Sequence, residues 1–340
     1  MKRHKICKII FAILAVFLCV AFYELIGICV TYKKQPAVSD ATIKETQNIM
    51  SVAGRENTER AVIIEKNSQA LLERVRLIQN AKDEIILSTF AFKSDESGKL
   101  ILGALHDAAD RGVHVRILVD GMESWIDMEG NPYFYGLSSH ENVEIKLYNK
   151  ANPLKPWKTM GRMHDKYLIA DGKIYILGGR NTYNYFLGDF PGHKNFDRDV
   201  LVVCDEPQKD NSVNQLWNYF ETIWEQEDCR YFHNSKKLAD RQSVKKAVLE
   251  LQEGYQQYFE VNKEKICDTD YADETFETEK ITLLSNPIHT QAKEPVVWYQ
   301  LGELMKNAKE RVKIHTPYII CNDMMYNTCL LYTSPSPRDS

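Results

Sequence analysis

The sequence predicts an α/β protein, because helix-like and strand-like segments alternate along its central part. Two segments have apolar residues at helical spacing, and each leads into a short apolar run rich in strand-forming residues. The helix-like segments are 68–81 and 100–111, and the runs that follow them are 84–92 and 113–120. Residues 166–170 and 173–177 then predict two strands that turn at Asp171-Gly172, a dipeptide typical of a tight hairpin.

The remaining elements complete a first lobe. Residues 143–148 and 200–203 have the composition of short strands, and residues 213–224 have the apolar spacing of an amphipathic helix. We expect this lobe to cover residues 61–234. Residues 235–284 are strongly charged and mostly helix-forming, which is typical of a connector.

The N-terminal 34 residues predict a membrane anchor. An apolar run from Ile9 to about Tyr32, interrupted by Glu24, is long enough to cross a bilayer as a helix, which needs about 20 residues. A cleaved signal peptide is the alternative, but its apolar stretch is usually shorter and ends at a small-residue cleavage site. Basic residues are more numerous before the run (Lys2, Arg3, Lys5, Lys8) than after it (Lys33, Lys34). This bias places the main domain outside the cytoplasm, beyond a polar stalk at 35–60.

An internal repeat predicts that a second lobe begins near residue 285. Residues 77–85 resemble residues 304–312, and Thr89 matches Thr316 at the same separation. We expect residues 285–328 to be only the start of this second lobe. Residues 329–340 contain two prolines and no apolar period, and they resemble a translated sequencing-library adapter. That tail is either non-native or a natural disordered terminus.

The densest group of chemically useful residues lies around the hairpin. His164 and Lys166 are two residues apart and would point to one face of a strand. Gly178 and Gly179 follow on the returning strand, where backbone can approach a ligand closely, and Asn181 adds an amide. An ammonium, directional donors and an imidazole suit a phosphate group, with the imidazole as nucleophile or proton carrier.

The pattern of His164, Lys166, Asp171, Gly178, Gly179 and Asn181 resembles the signature of the phospholipase D superfamily. Residues 105–121 resemble bacterial cardiolipin synthases in particular. The resemblance implies an α/β/α sandwich lobe with a mixed sheet and a reaction through a phosphohistidine, without metal or cofactor. It also implies a second His-x-Lys motif, from a second lobe or a homodimer partner. The repeat would place that motif beyond residue 340.

The resemblance also suggests roles for individual residues. It implies that an acidic residue after the glycine turn orients His164, and Asp199 is the match, with Asp197 as the runner-up. Asp171 belongs to the catalytic set by the pattern, although bracing the turn is the more natural role for it. Arg162 is a candidate phosphate-binding residue, and a solvated cation is the equal alternative.

These observations favour an enzyme of the cell membrane that acts on phospholipids, by phosphatidyl transfer or by hydrolysis. The net charge of −4 gives no global basic field, so nucleic acid is not an expected partner. A phosphodiesterase or nuclease with the same chemistry is the first alternative. A catalytically inactive scaffold is the second.

Overall fold

The protein is built around one mixed sheet of nine strands. The computed structural model describes residues 2–51, 59–152, 154–314 and 326. The strands are β1 Arg60–Ile64, β2 Glu84–Thr89, β3 His114–Asp120, β4 Val143–Tyr148, β5 Lys166–Ala170, β6 Ile174–Gly178, β7 Asp199–Val203, β8 Cys229–Tyr231 and β9 Phe276–Glu277. Their order across the sheet is β8-β4-β3-β2-β5-β6-β7-β1-β9.

The helices are α1 Lys2–Tyr32, α2 Asp40–Ser51, α3 Asn67–Asn80, α4 Glu96–Asp110, α5 Gly121–Asp127, α6 Pro132–Ser138, α7 Ser212–Trp224, α8 Lys236–Ala239, α9 Gln242–Cys267 and α10 Val296–Lys306. Helices α3, α4, α6 and α9 contribute to the apolar core on one face of the sheet, and α7 packs on the other. The predicted α/β/α sandwich with a mixed sheet is therefore confirmed.

Strand direction changes at β5, and this change creates the edge that matters for function. Strands β2, β3 and β4 are parallel, as the helix-strand alternation predicts. Strands β5, β6 and β7 then pair antiparallel in sequence order. The carboxyl ends of β2, β3 and β6 consequently meet the amino ends of β5 and β7. We call this the site edge; it carries Thr89, Asp120, Lys166, Gly178 and Asp199.

The hairpin between β5 and β6 forms where its turn residues predict it. Tyr167 pairs with Leu177 and Ala170 pairs with Ile174 in antiparallel register. Asp171 and Gly172 both have positive φ angles, 52° and 60°. Two consecutive left-handed residues are the signature of a type I′ turn, whose twist matches that of the strands it joins.

The charged segment after residue 234 is part of the first lobe rather than a separate connector. Leu251 and Tyr255 of α9 are 1% and 3% exposed and belong to the same core as α3 and α4. Gly103 of α4 has no room for a side chain, because a Cβ there would lie 2.6 Å from the Leu251 carbonyl oxygen. The charged residues of α9 thus mark its solvent face, and its apolar stripe completes the lobe.

The segment between the anchor and the lobe contains a helix that the sequence did not predict. Helix α2 lies within the expected stalk, and its Thr42 and Thr46 are buried. The backbone N–H of Ser39, just before it, donates to the Glu294 carboxylate over 2.7 Å. A helix stabilised by such distant contacts leaves little periodicity in its own sequence.

The N-terminal helix and the repeat are described in part. Residues 5–32 form one helix that contains an 18-residue stretch with a mean hydropathy of 2.7, and the helix is long and apolar enough to cross a membrane. Helix α10 lies where the repeat places a counterpart of α3. Residues 311–314 form no strand. The rest of the repeated strand and the tail lie outside the described residues.

Candidate active site

The site edge brings side chains from four strands into one row. Thr89 pairs with Lys166, and Gly178 pairs with Asp199. Directly opposed residues project to the same face of a sheet, so Lys166 and Asp199 both point toward the face that α3 and α4 cover. The sequence predicts that these residues lie near one another, and the register of β5, β6 and β7 determines which of them lie opposite each other.

His164 lies just before β5 rather than inside it. Its side chain is exposed, and its ring contacts the ring of Phe90 at a centroid distance of 4.5 Å. Lys166 is the first strand residue and is only 6% exposed. Its Nζ donates a hydrogen bond of 2.6 Å to the His164 carbonyl oxygen. The lysine therefore holds the backbone that carries the histidine.

Phe90 is a residue of the site that sequence reasoning missed. It follows β2, and three groups surround its ring: the His164 imidazole, the Arg162 guanidinium at 5.0 Å and the Lys166 ammonium at 5.3 Å from the ring centroid. The ring's negative face attracts cations. Only its position directly after a strand that ends at the site edge could have indicated this role.

Burial and charge adjust both ionisable groups of the motif. Although the His164 side chain reaches solvent, partial desolvation of its ring by neighbouring groups, followed by the charges of Lys166 and Arg162, lowers its pKa, and the Asp120 carboxylate opposes this effect. Burial lowers the pKa of Lys166 to about 8, against the charges of Asp165, Asp197 and Asp120. At neutral pH the imidazole is therefore mostly neutral and nucleophilic, and the ammonium is mostly charged.

Arg162 is neither free nor simply solvated. Its Nε donates to both Asp120 carboxylate oxygens over 2.8 and 2.9 Å, and its Nη2 lies 2.6 Å from one of them. Asp120 is 1% exposed and also accepts from the Met163 N–H and caps α5. This carboxylate fixes the Met163 backbone and the Arg162 guanidinium beside His164.

Asp199 has different partners from the one the sequence suggested. Its carboxylate is fully buried, 2.9 Å from Arg74 Nη1 and 3.3 Å from Arg180 Nη1. A carboxylate between two buried guanidinium groups serves to neutralise their charge. These ion pairs indicate a stabilising role for Asp199, whereas Asp120 is the carboxylate whose charge acts on His164; the orienting role of Asp199 stays a prediction. The runner-up, Asp197, acts on the Lys166 ammonium.

The two glycines of the motif make room for these acids. A Cβ on Gly178 would lie 1.9 Å from Asp199 Oδ1 and 2.7 Å from the Arg198 carbonyl oxygen. A Cβ on Gly179 would lie 2.0 Å from Asp197 Oδ2. The sequence assigned these glycines to close ligand approach. The structure shows them in close contact with the acidic segment at the start of β7.

Asn181 and Asp171 lie at opposite ends of the hairpin. Asn181 is 7% exposed, and its Oδ1 accepts from the Ala91 N–H over 3.1 Å, next to Phe90. Asp171 accepts from the backbone N–H groups of residues 82–84 over 2.8 to 3.2 Å. Because β5 separates Asp171 from His164, the two are roughly 15 Å or more apart. Asp171 is therefore a structural brace, which corrects its place in the catalytic set.

A cavity of about 390 Å³ opens beside the motif. The motif segment 162–167 and the end of β6 line part of it, and α7 and residues 283–297 line the rest. Most of that remaining wall is apolar. Across residues 2–51, 59–152, 154–314 and 326, no cluster of three or more His, Cys, Asp or Glu side chains is placed to hold a metal ion.

Residues 75–224 match the family model described as "Cardiolipin synthase, PLD-like domain". The chain therefore contains a phospholipase D-like domain. The matched residues run from α3 to the end of α7 and include every motif residue from Arg162 to Asp199. The predicted resemblance to the phospholipase D superfamily is confirmed.

Two bacterial relatives match part of the chain. An uncharacterized protein of Helicobacter pylori is 27% identical over 292 residues, covering 78% of this chain and 55% of that protein. Cardiolipin synthase C of Escherichia coli is 29% identical over 154 residues, covering 41% of this chain and 31% of the synthase. The chain thus spans about half of the first relative and about a third of the second.

Among solved structures, the phospholipase D family member Nuc of Salmonella typhimurium is 18% identical. The match covers 52% of this chain and 99% of Nuc, with a TM-score of 0.37. A TM-score this low supports no functional argument, for or against a nuclease.

Proposed function

We propose that the chain supplies one half of a phosphodiester-transfer active site that acts on phospholipids. The observation that carries this proposal is the position of His164. Its imidazole lies with the Lys166 and Arg162 cations around the Phe90 ring, at the end of a largely apolar cavity. Cations suit a phosphate, and an apolar wall suits acyl chains.

His164 is the proposed nucleophile. A ring nitrogen forms a bond to phosphorus while the bond from phosphorus to the leaving alcohol breaks. Lys166 neutralises the non-bridging oxygens, and the Asn181 NH₂ group donates to them; its Oδ1 already accepts from Ala91 and so directs the NH₂ group away from it. Water or an acceptor alcohol then attacks the phosphohistidine and releases His164.

The leaving alcohol needs a proton, which a second histidine would donate. We propose that this residue comes from a second His-x-Lys lobe or from a homodimer partner. Hydrolysis and phosphatidyl transfer differ only in whether water or an alcohol reaches the intermediate. The match to the cardiolipin synthase family model favours transfer to a second phospholipid over hydrolysis in this proposal.

The apolar helix α1 supports a location at the cell membrane. It makes hydrogen bonds to the lobe near the cavity, since the Tyr32 hydroxyl donates to the Thr290 carbonyl oxygen over 2.8 Å. An anchor at this position would keep the cavity close to lipid. The basic residues before the helix place the lobe on the extracytoplasmic side in this proposal.

The decisive experiment incubates the full chain, assembled as a homodimer or supplied with a second His-x-Lys lobe, in detergent with phosphatidylglycerol carrying ³²P. Rapid acid-free denaturation should trap label on the protein, in a bond stable to alkali and labile to acid. His164→Ala should abolish the label, whereas His193→Ala, an exposed histidine of a nearby loop, should retain it. Labelling of the His164→Ala variant, or cleavage of DNA but no phospholipid, would overturn the proposal.

A further inference from the structure

Helix α1 lies alongside the lobe instead of leading straight away from it. The Tyr23 hydroxyl donates to the Leu154 carbonyl oxygen over 3.5 Å, and the Tyr32 hydroxyl donates to the Thr290 carbonyl oxygen. The short helical turn Pro156–Lys158 also packs against α1. The lobe therefore flanks the last nine residues of the helix, a length of roughly 13 Å at about 1.5 Å per residue.

The length of α1 determines how close the lobe sits to the lipid. The hydrocarbon core of a bilayer takes about 20 residues of helix, so a core that begins between residues 5 and 9, where the last lysines precede the apolar run, ends between about residues 24 and 28. The one acidic residue of the run, Glu24, marks the same boundary. Tyr23 precedes both of these ends. Because Leu154 contacts Tyr23, it lies at or just inside the edge of the hydrocarbon.

The surface of the lobe on this side carries large apolar side chains that contact solvent. Leu154 in the loop after β4 and Ile126 in α5 are 79% and 76% exposed, and Trp125 is exposed beside Ile126. The two segments are neighbours, because β3 and β4 are adjacent parallel strands and the start of α5 packs against the Lys150 backbone. Tryptophan is enriched where proteins meet the lipid headgroups. The exposed ammonium groups of Lys150 and Lys155 complement anionic headgroups at the same level.

We propose that α5 and the loop after β4 form a seating surface, which enters the headgroup region of the bilayer that α1 crosses and so makes a second membrane contact beside the anchor. This rests on the proposed membrane location and specifies how the lobe is held: Leu154, Ile126 and Trp125 hold it against the lipid, instead of a polar stalk holding it clear. Apolar faces at such interfaces enter the boundary between headgroups and acyl chains by about 5–10 Å. The seating surface keeps the site edge, where Asp120 directly precedes α5, near the level of the lipid phosphodiesters.

Photolabelling tests the seating surface on the full chain in lipid nanodiscs. The discs contain phosphatidylglycerol and a phosphatidylcholine with a photoactivatable diazirine in its acyl chain, and mass spectrometry locates the inserted lipid. Residues of α1 before Tyr23 should be labelled, and so should Leu154 and Ile126. Val261 of α9 and Phe276 of β9 are the matched controls, because they are similarly exposed apolar side chains on other elements, and they should stay at background. Label confined to α1, or equal label on the controls, would overturn the proposal.

Turnover with the second His-x-Lys lobe supplied gives an independent readout. Leu154→Asn should lower kcat/KM for phosphatidylglycerol in the bilayer by roughly tenfold, the usual effect of returning one buried leucine side chain to water, and leave kcat/KM for a water-soluble short-chain phosphatidylglycerol unchanged. Val261→Asn should alter neither value. Equal losses on both substrates would refute the seating role. A chain that is labelled as expected but turns over neither substrate would contradict the proposed transfer and leave the seating surface in place, whereas an unlabelled α1 would contradict the membrane location itself.

Discussion

Replacing Asp199 by Asn tests the reassignment of this residue from catalysis to stability. The change removes the carboxylate charge that lies between Arg74 and Arg180, whose guanidinium groups lie 2.9 and 3.3 Å from it. Removing one member of a buried ion pair typically costs about 3–5 kcal/mol, because the remaining charge stays buried. Against a usual total of about 5–15 kcal/mol, that is a large part of the free energy of unfolding.

The assay is urea unfolding of the full chain in mild detergent, followed by tryptophan fluorescence. Asp205→Asn is the matched control, because Asp205 is exposed just beyond the other end of β7 and should change stability by less than about 0.5 kcal/mol. A cycle with Arg74→Met should show a coupling above about 0.5 kcal/mol between the two residues. Normal stability of Asp199→Asn, together with a hundredfold lower kcat, would refute the reassignment and restore the histidine-orienting role.

Three further predictions follow from single contacts. Gly178→Ala should destabilise the lobe by about 1–3 kcal/mol, since the new Cβ would lie 2.7 Å from the Arg198 carbonyl oxygen; an unchanged urea midpoint would contradict this. Asp171→Ala should lower the free energy of unfolding by about 1–2 kcal/mol and leave kcat within roughly twofold, because it removes hydrogen bonds that brace the turn far from His164. A large loss of kcat at normal stability would return Asp171 to the catalytic set. Since burial lowers the pKa of Lys166 to about 8, and only its protonated form neutralises phosphate, kcat/KM should be maintained below about pH 8 and fall above it; a profile flat to high pH would argue against this role.

Part of the site can be predicted from sequence patterns that span only a few residues. The turn at Asp171-Gly172 determines where β5 ends and β6 begins. The two-residue alternation along β5 then determines the face of the sheet toward which Lys166 points. Such signals are local, because they depend on backbone preferences and on the two-residue period of a strand. These local signals are sufficient to predict that His164, Lys166, Gly178 and Asn181 lie in one patch.

Other parts depend on contacts between residues far apart in the chain. The family resemblance implies that Asp199 orients His164, yet the partner that Asp199 contacts, Arg74, lies in α3. No local pattern indicates that a guanidinium from that helix reaches the start of β7. The domain boundaries remain predictions, although the packing of α9 against α4 already shows that the expected connector belongs to the first lobe.

The sequence by itself determined the α/β class, the hairpin, the apolar N-terminal helix and the superfamily, because each is encoded in periodicity or in fixed short spacings. Only the tertiary structure decided which charges meet. It placed Asp120 against Arg162, enclosed Asp199 between two arginines, and brought Phe90 to the motif from a distant segment. The physical reason is that a buried charge is stabilised by whatever opposite charge the fold brings within a few ångströms, regardless of separation along the chain.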